Sequence, residues 1–270
     1  GGVSSTSLDE FLGIVDNWAR SGSSSNKSRV KYKDSAGNTR TTRKSKWSTA
    51  LGISLDELKS MVLGQRFTSA KAIQKRETTK VRAVINSDDV TYLQMSYLST
   101  VIETALRRHP LTSLYYDVDQ LSNLFKQMAV DSTDSRLWKI PLDQSKFDHM
   151  QNRKMIDIFF DELYSFMMPM VSDEHRDDYK SIFNAMVRNF EDSRVTVGET
   201  RLKHEKGILS GWRWTAFIDT VFNYAEYYVA QKHAANLGVV LNPVRFCCQG
   251  DDDRINYLSK RECIATVYAY

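Results

Sequence analysis

Two short runs, Phe246 to Gln249 and Arg254 to Leu258, are separated only by Gly250-Asp251-Asp252-Asp253, so the chain has to reverse direction between them. Gly250 supplies the backbone freedom that a tight hairpin turn needs. The layout predicts two antiparallel strands with Asp251 and Asp252 at the turn. Upstream, Leu137 to Leu142 reads as a buried strand, and Asp143 follows it immediately. Between these two places the apolar period changes. Met155, Ile156, Phe159, Phe160, Leu163 and Met167 predict a long helix from Asn152 to Met170, and Ile182, Phe183, Met186, Val187 and Phe190 predict another. Arg194 to Val197 and Glu199 to Leu202 read as strands around Gly198, and a helix runs from Thr215 to about His233. The order strand, helices, hairpin, helix, hairpin implies an α+β fold. The sequence has no internal repeat.

The first half is less regular. Leu8, Phe11, Leu12, Val15 and Trp18 recur at helical spacing, and the Ser/Gly-rich stretch Ser21 to Ser25 breaks that helix. Arg29 to Lys33 alternates, turns through Asp34 to Asn38 and resumes at Thr39 to Arg43, which reads as a basic hairpin or a mobile loop. Ser54 and Glu57 have the spacing of a capping box in front of Leu55, Leu58 and Met61. A helix is predicted over Tyr92 to Arg108, ended by Pro110. The chain opens on Gly1-Gly2 and stops at Tyr270 inside an apolar pattern, so both ends read as cuts in something longer.

Composition narrows the class. With 41% hydrophobic and 26% charged residues the balance is that of an ordinary globular protein. No apolar run approaches the length that spans a bilayer, and the N-terminus lacks the layout of a signal peptide, so no membrane is expected as a partner. Cys247, Cys248 and Cys263 have no metal-ligand spacing and read as buried thiols in a reducing compartment. His149, His175, His204 and His233 share no ligand spacing either. A net charge of +4 suits an acidic partner. The charge is concentrated: from Lys27 to Lys46 eight cations stand against the single acid Asp34. With Tyr32 and Trp47 interleaved, Lys31, Lys33, Arg43, Lys44 and Lys46 are candidates for contact with nucleic-acid phosphates, against the alternative of a solvated loop.

Acids at strand ends carry the chemistry. Adjacent carboxylates at a turn repel unless a cation compensates them. Oxygen-rich clusters suit Mg²⁺ or Mn²⁺, and two-metal phosphoryl transfer uses carboxylates from separate strands. Asp143-Gln144-Ser145-Lys146-Phe147-Asp148 adds two acids around a short bend. Ser210-Gly211 feeds directly into a helix on which Thr215, Asp219 and Asn223, at i, i+4 and i+8, share one polar face. Trp212 and Trp214, at the start of that helix, read as core.

Asp143 to Asp148, Ser210 to Asn223, and Gly250-Asp251-Asp252 resemble palm motifs A, B and C of viral RNA-dependent RNA polymerases, in that order. Lys75-Arg76-Glu77-Thr78-Thr79-Lys80-Val81-Arg82 resembles the basic fingers motif F. Its spacing is most like that of double-stranded RNA viruses, the reovirus-like group (orbiviruses included) first and the totivirus-like group second. The resemblance runs from Lys75 to Asp253. It implies a right-hand palm, an antiparallel sheet of three or more strands with packed helices, over residues 131–270. It implies a fingers-type region over residues 1–130, with a basic loop at 20–47 and motif F at 75–82, and no thumb.

The same resemblance implies RNA synthesis from ribonucleoside triphosphates on an RNA template. Asp143, Asp251 and Asp252 would hold two Mg²⁺ or Mn²⁺ ions, Asp252 as the auxiliary ligand. Asp148 would sense the ribose 2′-hydroxyl, Ser210 and Gly211 would form the motif B loop, and Thr215 would lie near the sugar. Lys75, Lys80 and Arg82 would grip the triphosphate. Asp219 stands where the family usually carries Asn, and Asp253 extends the acidic run as a structural or solvent-facing residue. Template and nascent RNA, the remainder of a larger polymerase and viral capsid proteins are the implied partners. A virion core or the host cytoplasm is the implied location. A truncated piece that binds RNA and metal without extending, a reverse transcriptase and a metal-dependent nuclease are the competing readings.

Overall fold

The computed structural model describes residues 5–19, 24, 30–42, 45–76, 81–107, 109–143 and 151–270, with Asp143 described by its backbone. In chain order the helices are α1 (Leu8–Gly13), α2 (Lys46–Gly52), α3 (Leu55–Gly64), α4 (Asp89–Leu106), α5 (Val118–Thr133), α6 (Arg153–Met167), α7 (Arg176–Glu191), α8 (Thr215–Asn236) and α9 (Lys260–Ala269). The strands are β1 (Lys31–Lys33), β2 (Thr39–Thr41), β3 (Ser69–Arg76), β4 (Val81–Ser87), β5 (Trp138–Asp143), β6 (Arg194–Val197), β7 (Thr200–Lys203), β8 (Arg245–Gln249) and β9 (Asp252–Tyr257). The fold is α+β, as expected. No helix among the described residues is long and apolar enough to cross a membrane.

Two compact units share the chain: Gly1–Thr104 with Asn152–Arg213, and Ala105–Gln151 with Trp214–Tyr270. In the first, α4 is the central element, with Leu93, Tyr97, Leu98, Val101 and Ile102 fully buried. Each such side chain contributes about 1.5–3 kcal/mol by leaving water. Aromatic rings knit the neighbours to it: Phe11 meets Tyr97 edge-on at 5.4 Å and Tyr179 lies 4.3 Å from Tyr97. The Tyr97 hydroxyl donates to the Thr6 carbonyl at 2.9 Å. The sheet of this unit has the order β4-β3-β6-β7.

Several local expectations hold here. The Ser54–Glu57 capping box is formed. Lys31–Lys33 and Thr39–Thr41 pair as an antiparallel hairpin, so that stretch is not a loop. Asp34 closes its turn, its carboxylate accepting from the Ala36 and Asn38 amides at 3.0 and 2.9 Å and from Arg40 Nε at 3.0 Å. The Arg40 contact and those amides hold the Asp34 carboxyl below its ordinary value. The N-terminal helix is shorter than expected. It stops at Gly13, Ile14 is extended, and Val15–Asn17 forms one 3₁₀ turn. Trp18 is buried all the same, its Nε1 donating to the Leu12 carbonyl at 3.1 Å.

The second unit contains a three-stranded antiparallel sheet of order β5-β9-β8. Pro141 is tolerated because β5 is an edge strand and need not donate on both sides. Strand alternation gives the sheet two unlike faces. Ile140, Ile255 and Tyr257 point one way and pack with Tyr227, Ala234 and Leu241 into one core, against which Phe246 also packs. Phe246 stacks on Tyr227 at 4.3 Å. Lys139, Arg254, Asn256 and Arg245 lie on the other, polar face by the same register.

Helix α5 has no counterpart among the expected elements. Its start is nevertheless written in the sequence: Asp117 and Gln120 form a reciprocal capping box. Its C-terminal turn carries Asp131, which is buried. Asp131 is ion-paired with Arg254 and accepts from Asn256 Nδ2 at 3.0 Å and Gln127 Nε2 at 2.7 Å.

Candidate functional site

The acidic turn is built by the sheet of the second unit. Antiparallel pairing sets Asp143 directly opposite Asp252, and Gln249 opposite Asp252 on the other side. Opposed residues of such a pair sit about 4.5–5.5 Å apart at Cα. Two acids far apart in sequence are thereby brought to neighbouring strand ends. Asp251 occupies the turn one residue earlier, half-buried, and Asp252 is the first, exposed residue of β9. Asp251 forms no ion pair among the described residues.

Helix α8 holds this turn from behind. Gly250 takes φ +64°, a left-handed conformation that a side chain would strain. Its amide donates to Thr220 Oγ1 at 2.8 Å, and its carbonyl accepts from Asn223 Nδ2 at 3.0 Å. Both backbone polar groups of Gly250, which belong to successive peptides, are thus satisfied by α8, a turn apart. Asn223 therefore supports the carboxylate hairpin. Of the expected polar face, Thr215 opens α8 half-buried while Asp219 and Asn223 are buried. Asn223→Ala strands the Gly250 carbonyl in a buried place and is expected to cost about 1–3 kcal/mol. A urea denaturation midpoint lowered at unchanged slope checks this.

Asp253 is a structural residue, not a solvent-facing one. The alternation that exposes Asp252 turns Asp253 onto the core face, where it is 4% exposed. Burial pushes its carboxyl up to about 7, opposed by the Tyr270 hydroxyl, which donates to Oδ2 at 2.7 Å; the Glu226 and Asp252 charges add to the rise. Cys248, on the same face, is pushed up to about 12, mainly by burial. Of the three cysteines only Cys248 is fully buried; Cys247 and Cys263 are half-exposed.

The remaining site residues lie in the first unit or outside the described residues. Lys75 and Arg82 are exposed cross-strand partners near the end of the β3–β4 hairpin. Lys80, Asp148, Arg43 and Lys44 lie outside the described residues. Lys31 and Lys33 are exposed on β1, and Lys46 opens α2 with its Nζ 4.0 Å over the Tyr92 ring. Ser210 and Gly211 are joined to β4: Ser210 Oγ accepts from the Ile85 amide at 3.1 Å, and the Gly211 amide donates to the Ile85 carbonyl at 3.0 Å. A Cβ on Gly211 would meet that carbonyl oxygen at 2.5 Å and Asn86 Oδ1 at 2.6 Å. Gly211→Ala is therefore expected to push the loop off β4, costing about 1–3 kcal/mol, seen as a lowered thermal midpoint. Trp212 and Trp214 are core residues, 4% and 1% exposed.

Among the described residues no cluster of three His, Cys, Asp or Glu is disposed to hold a metal; the side chain of Asp143 is not among them. The donor chemistry of the turn still fits a hard divalent cation. Asp251 and Asp252 offer only carboxylate oxygens, and Asp251 forms no ion pair among the described residues.

Fold and site define an α+β protein with a carboxylate-bearing hairpin turn clamped by a helix. The chain belongs to the viral RNA-directed RNA-polymerase family, whose profile matches residues 18–269. It is similar to the probable RNA-directed RNA polymerase of Giardia lamblia virus (isolate Wang), 26% identical over 229 residues, which cover 83% of this chain. The matched region spans 12% of that relative's length.

Proposed function

We propose that this chain carries the catalytic centre for template-directed RNA synthesis. One observation carries the reading: in a member of this polymerase family, strand register sets Asp143 opposite Asp252, with Asp251 in the adjoining Gly250 turn. The reaction is in-line attack of an RNA 3′-hydroxyl on the α-phosphate of a ribonucleoside triphosphate, with pyrophosphate leaving. Two Mg²⁺ or Mn²⁺ ions held by Asp143, Asp251 and Asp252 would supply the Lewis acidity that lowers the pKa of the 3′-hydroxyl and neutralises the leaving group. Thr220 and Asn223 keep the turn in the one backbone conformation that presents Asp251 beside Asp252. Lys75, Lys80 and Arg82 offset triphosphate charge, and Asp148 selects ribose through its 2′-hydroxyl. Thr215 and Asp219 line the sugar side, and Ser210-Gly211 forms the loop that precedes them.

In this reading residues 131–270 are the palm, residues 1–130 belong to the fingers, and the thumb lies elsewhere. Lys31, Lys33, Arg43, Lys44 and Lys46 contact RNA phosphates. The short share of the relative that is matched supports a larger polymerase around this chain. Capsid proteins as partners, and a virion core or host cytoplasm as location, follow from the viral family.

The test is incorporation of labelled ribonucleotides on a primed RNA template with Mg²⁺ or Mn²⁺, beside deoxyribonucleotides and beside Asp251→Ala. Ribonucleotide extension by the native chain, lost in the variant, is the expected result. Binding of RNA and metal without extension by either protein identifies a fragment that needs its missing parts. A preference for deoxyribonucleotides identifies a reverse transcriptase.

A further inference from the structure

Backbone register puts Gln249 in one row with two of the site acids. Asp143 of β5 is opposite Asp252 of β9, and Asp252 is opposite Gln249 of β8. Each such step is about 4.5–5.5 Å at Cα, so Asp252 stands in the middle of a row about 10 Å wide. Cross-strand partners share a sheet face. Gln249 is therefore on the polar face with Asp252, and it is exposed. It directly precedes Gly250, whose amide and carbonyl are held by Thr220 and Asn223, so its backbone is set together with the turn.

Its carboxamide is oriented from outside the hairpin. Ser113 Oγ donates to Gln249 Oε1 at 2.7 Å. Ser113 is 5% exposed and belongs to a segment laid along β8. In that segment Thr112 is bridged to Cys248, and the Cys248 amide donates to the Leu111 carbonyl at 3.1 Å. The Tyr116 amide closes a turn on the Ser113 carbonyl, also at 3.1 Å. The hairpin turn is already held by α8; what the Ser113 contact fixes in addition is the direction of the carboxamide. With its oxygen taken, the side chain has its Nε2 donors left to offer. Nε2 forms no hydrogen bond among the described residues.

The row thus carries acids at Asp143 and Asp252 and an aimed donor at Gln249. An ionised carboxylate only accepts, so Gln249 supplies what the acids cannot. Asp148, assigned to the incoming ribose, follows shortly after β5 in the chain. Gln249 stands across Asp252 from β5, on the flank left for the nucleotide being extended. On that nucleotide the 2′-oxygen is on the carbon next to the attacking 3′-hydroxyl, and a deoxyribonucleotide lacks it. We propose that Gln249 is a specificity-determining residue of RNA synthesis: its Nε2 donates to the 2′-oxygen of the RNA 3′-terminal nucleotide, and Ser113 is the positioning residue that aims it. Asp148 then checks the sugar that enters, and Gln249 the sugar to which it is joined. The inference rests on the catalytic reading of the turn.

The test uses two primer–template RNAs that differ only in the sugar at the primer 3′ end, ribose or 2′-deoxyribose. Binding is read by fluorescence anisotropy with Mg²⁺ and no nucleotide, so no turnover is needed. The native chain is expected to bind the ribose end about three- to tenfold tighter, the range of one hydrogen bond. Gln249→Leu, which removes the donor, is expected to bind both ends alike. Ser113→Ala is expected to lose most of the preference, and Ser113→Thr, which restores a hydroxyl, to regain it. The ratio between the two ends is taken within each protein, so a loss of folded chain cancels. In extension, Gln249→Leu is expected to raise KM for the ribose-ended primer by the same factor with kcat little changed. Loss of extension in Asp251→Ala tests the catalytic reading by itself, so the two readings fail separately. No preference in the native chain, an unchanged preference in Gln249→Leu or Ser113→Ala, or no primer binding by the native chain would overturn the proposal.

Discussion

Asp251→Ala is expected to lower RNA extension by at least about 10³-fold, a loss of about 4 kcal/mol of transition-state stabilisation. The reason is electrostatic. In-line phosphoryl transfer concentrates negative charge on the attacking and leaving oxygens, and the carboxylates of the turn are what would keep divalent cations beside them. The fold gives little reason for the variant to unfold. Asp251 is a half-buried turn residue without an ion pair among the described residues, and Gly250 keeps both of its backbone bonds to α8. Removing one of two adjacent carboxylates even relieves their repulsion. The thermal midpoint without metal is therefore expected to hold or rise slightly. A second readout needs no turnover: Mn²⁺ affinity, measured by calorimetry, falls in the variant. Asp251→Asn keeps the shape and loses the charge, and is expected to fail alike. Extension within about tenfold of native by either variant would remove Asp251 from the catalytic centre.

The largest stability effect is expected at Asp131. This carboxylate, 7% exposed, ends α5 and receives Arg254, Asn256 and Gln127 together. Arg254 and Asn256 lie on β9 two and four residues beyond Asp252, on the same polar side of the strand. Asp131→Ala leaves the Arg254 guanidinium, itself largely buried, without its counter-charge, and is expected to cost about 3–5 kcal/mol. For a unit of ordinary stability that is a large fraction of the whole. Arg254→Met combined with Asp131→Ala removes both charges and is expected to recover part of the loss, because the penalty comes mainly from the stranded ion. Chemical denaturation of the two single variants and the double variant gives the coupling directly. Additive losses would mean that the pair does not act as a unit.

The second half of the chain was legible where periodicity was strong. The helices over Arg153–Met167 and Arg176–Glu191, the β6–β7 hairpin and the β8–β9 hairpin fall within a few residues of their expected positions, because bulky apolar residues mark one face of each. The β3–β4 hairpin was not anticipated. Its inward positions include the small Ala70 and Ala72, while Ile73 sits on the exposed face, so alternation gives no contrast to read. Helix α5 was missed because Val118, Phe125 and Val130 are exposed on it and blur its stripe. Its capping box was the usable signal. The burial of Asp253 was also available in principle: counting back by two from Tyr257 and Ile255 puts it on the core face.

Sequence alone determined the family and the hairpin at Gly250, since these depend on residue types and short-range backbone preference. Tertiary structure alone decided that Asn223 and Thr220 spend their side chains on the Gly250 backbone, that Asp131 anchors β9, and that Gln249 shares a row with Asp143 and Asp252. Each of these depends on strand register or on helix-to-strand packing between residues far apart in the chain, and no local spacing encodes such a pairing.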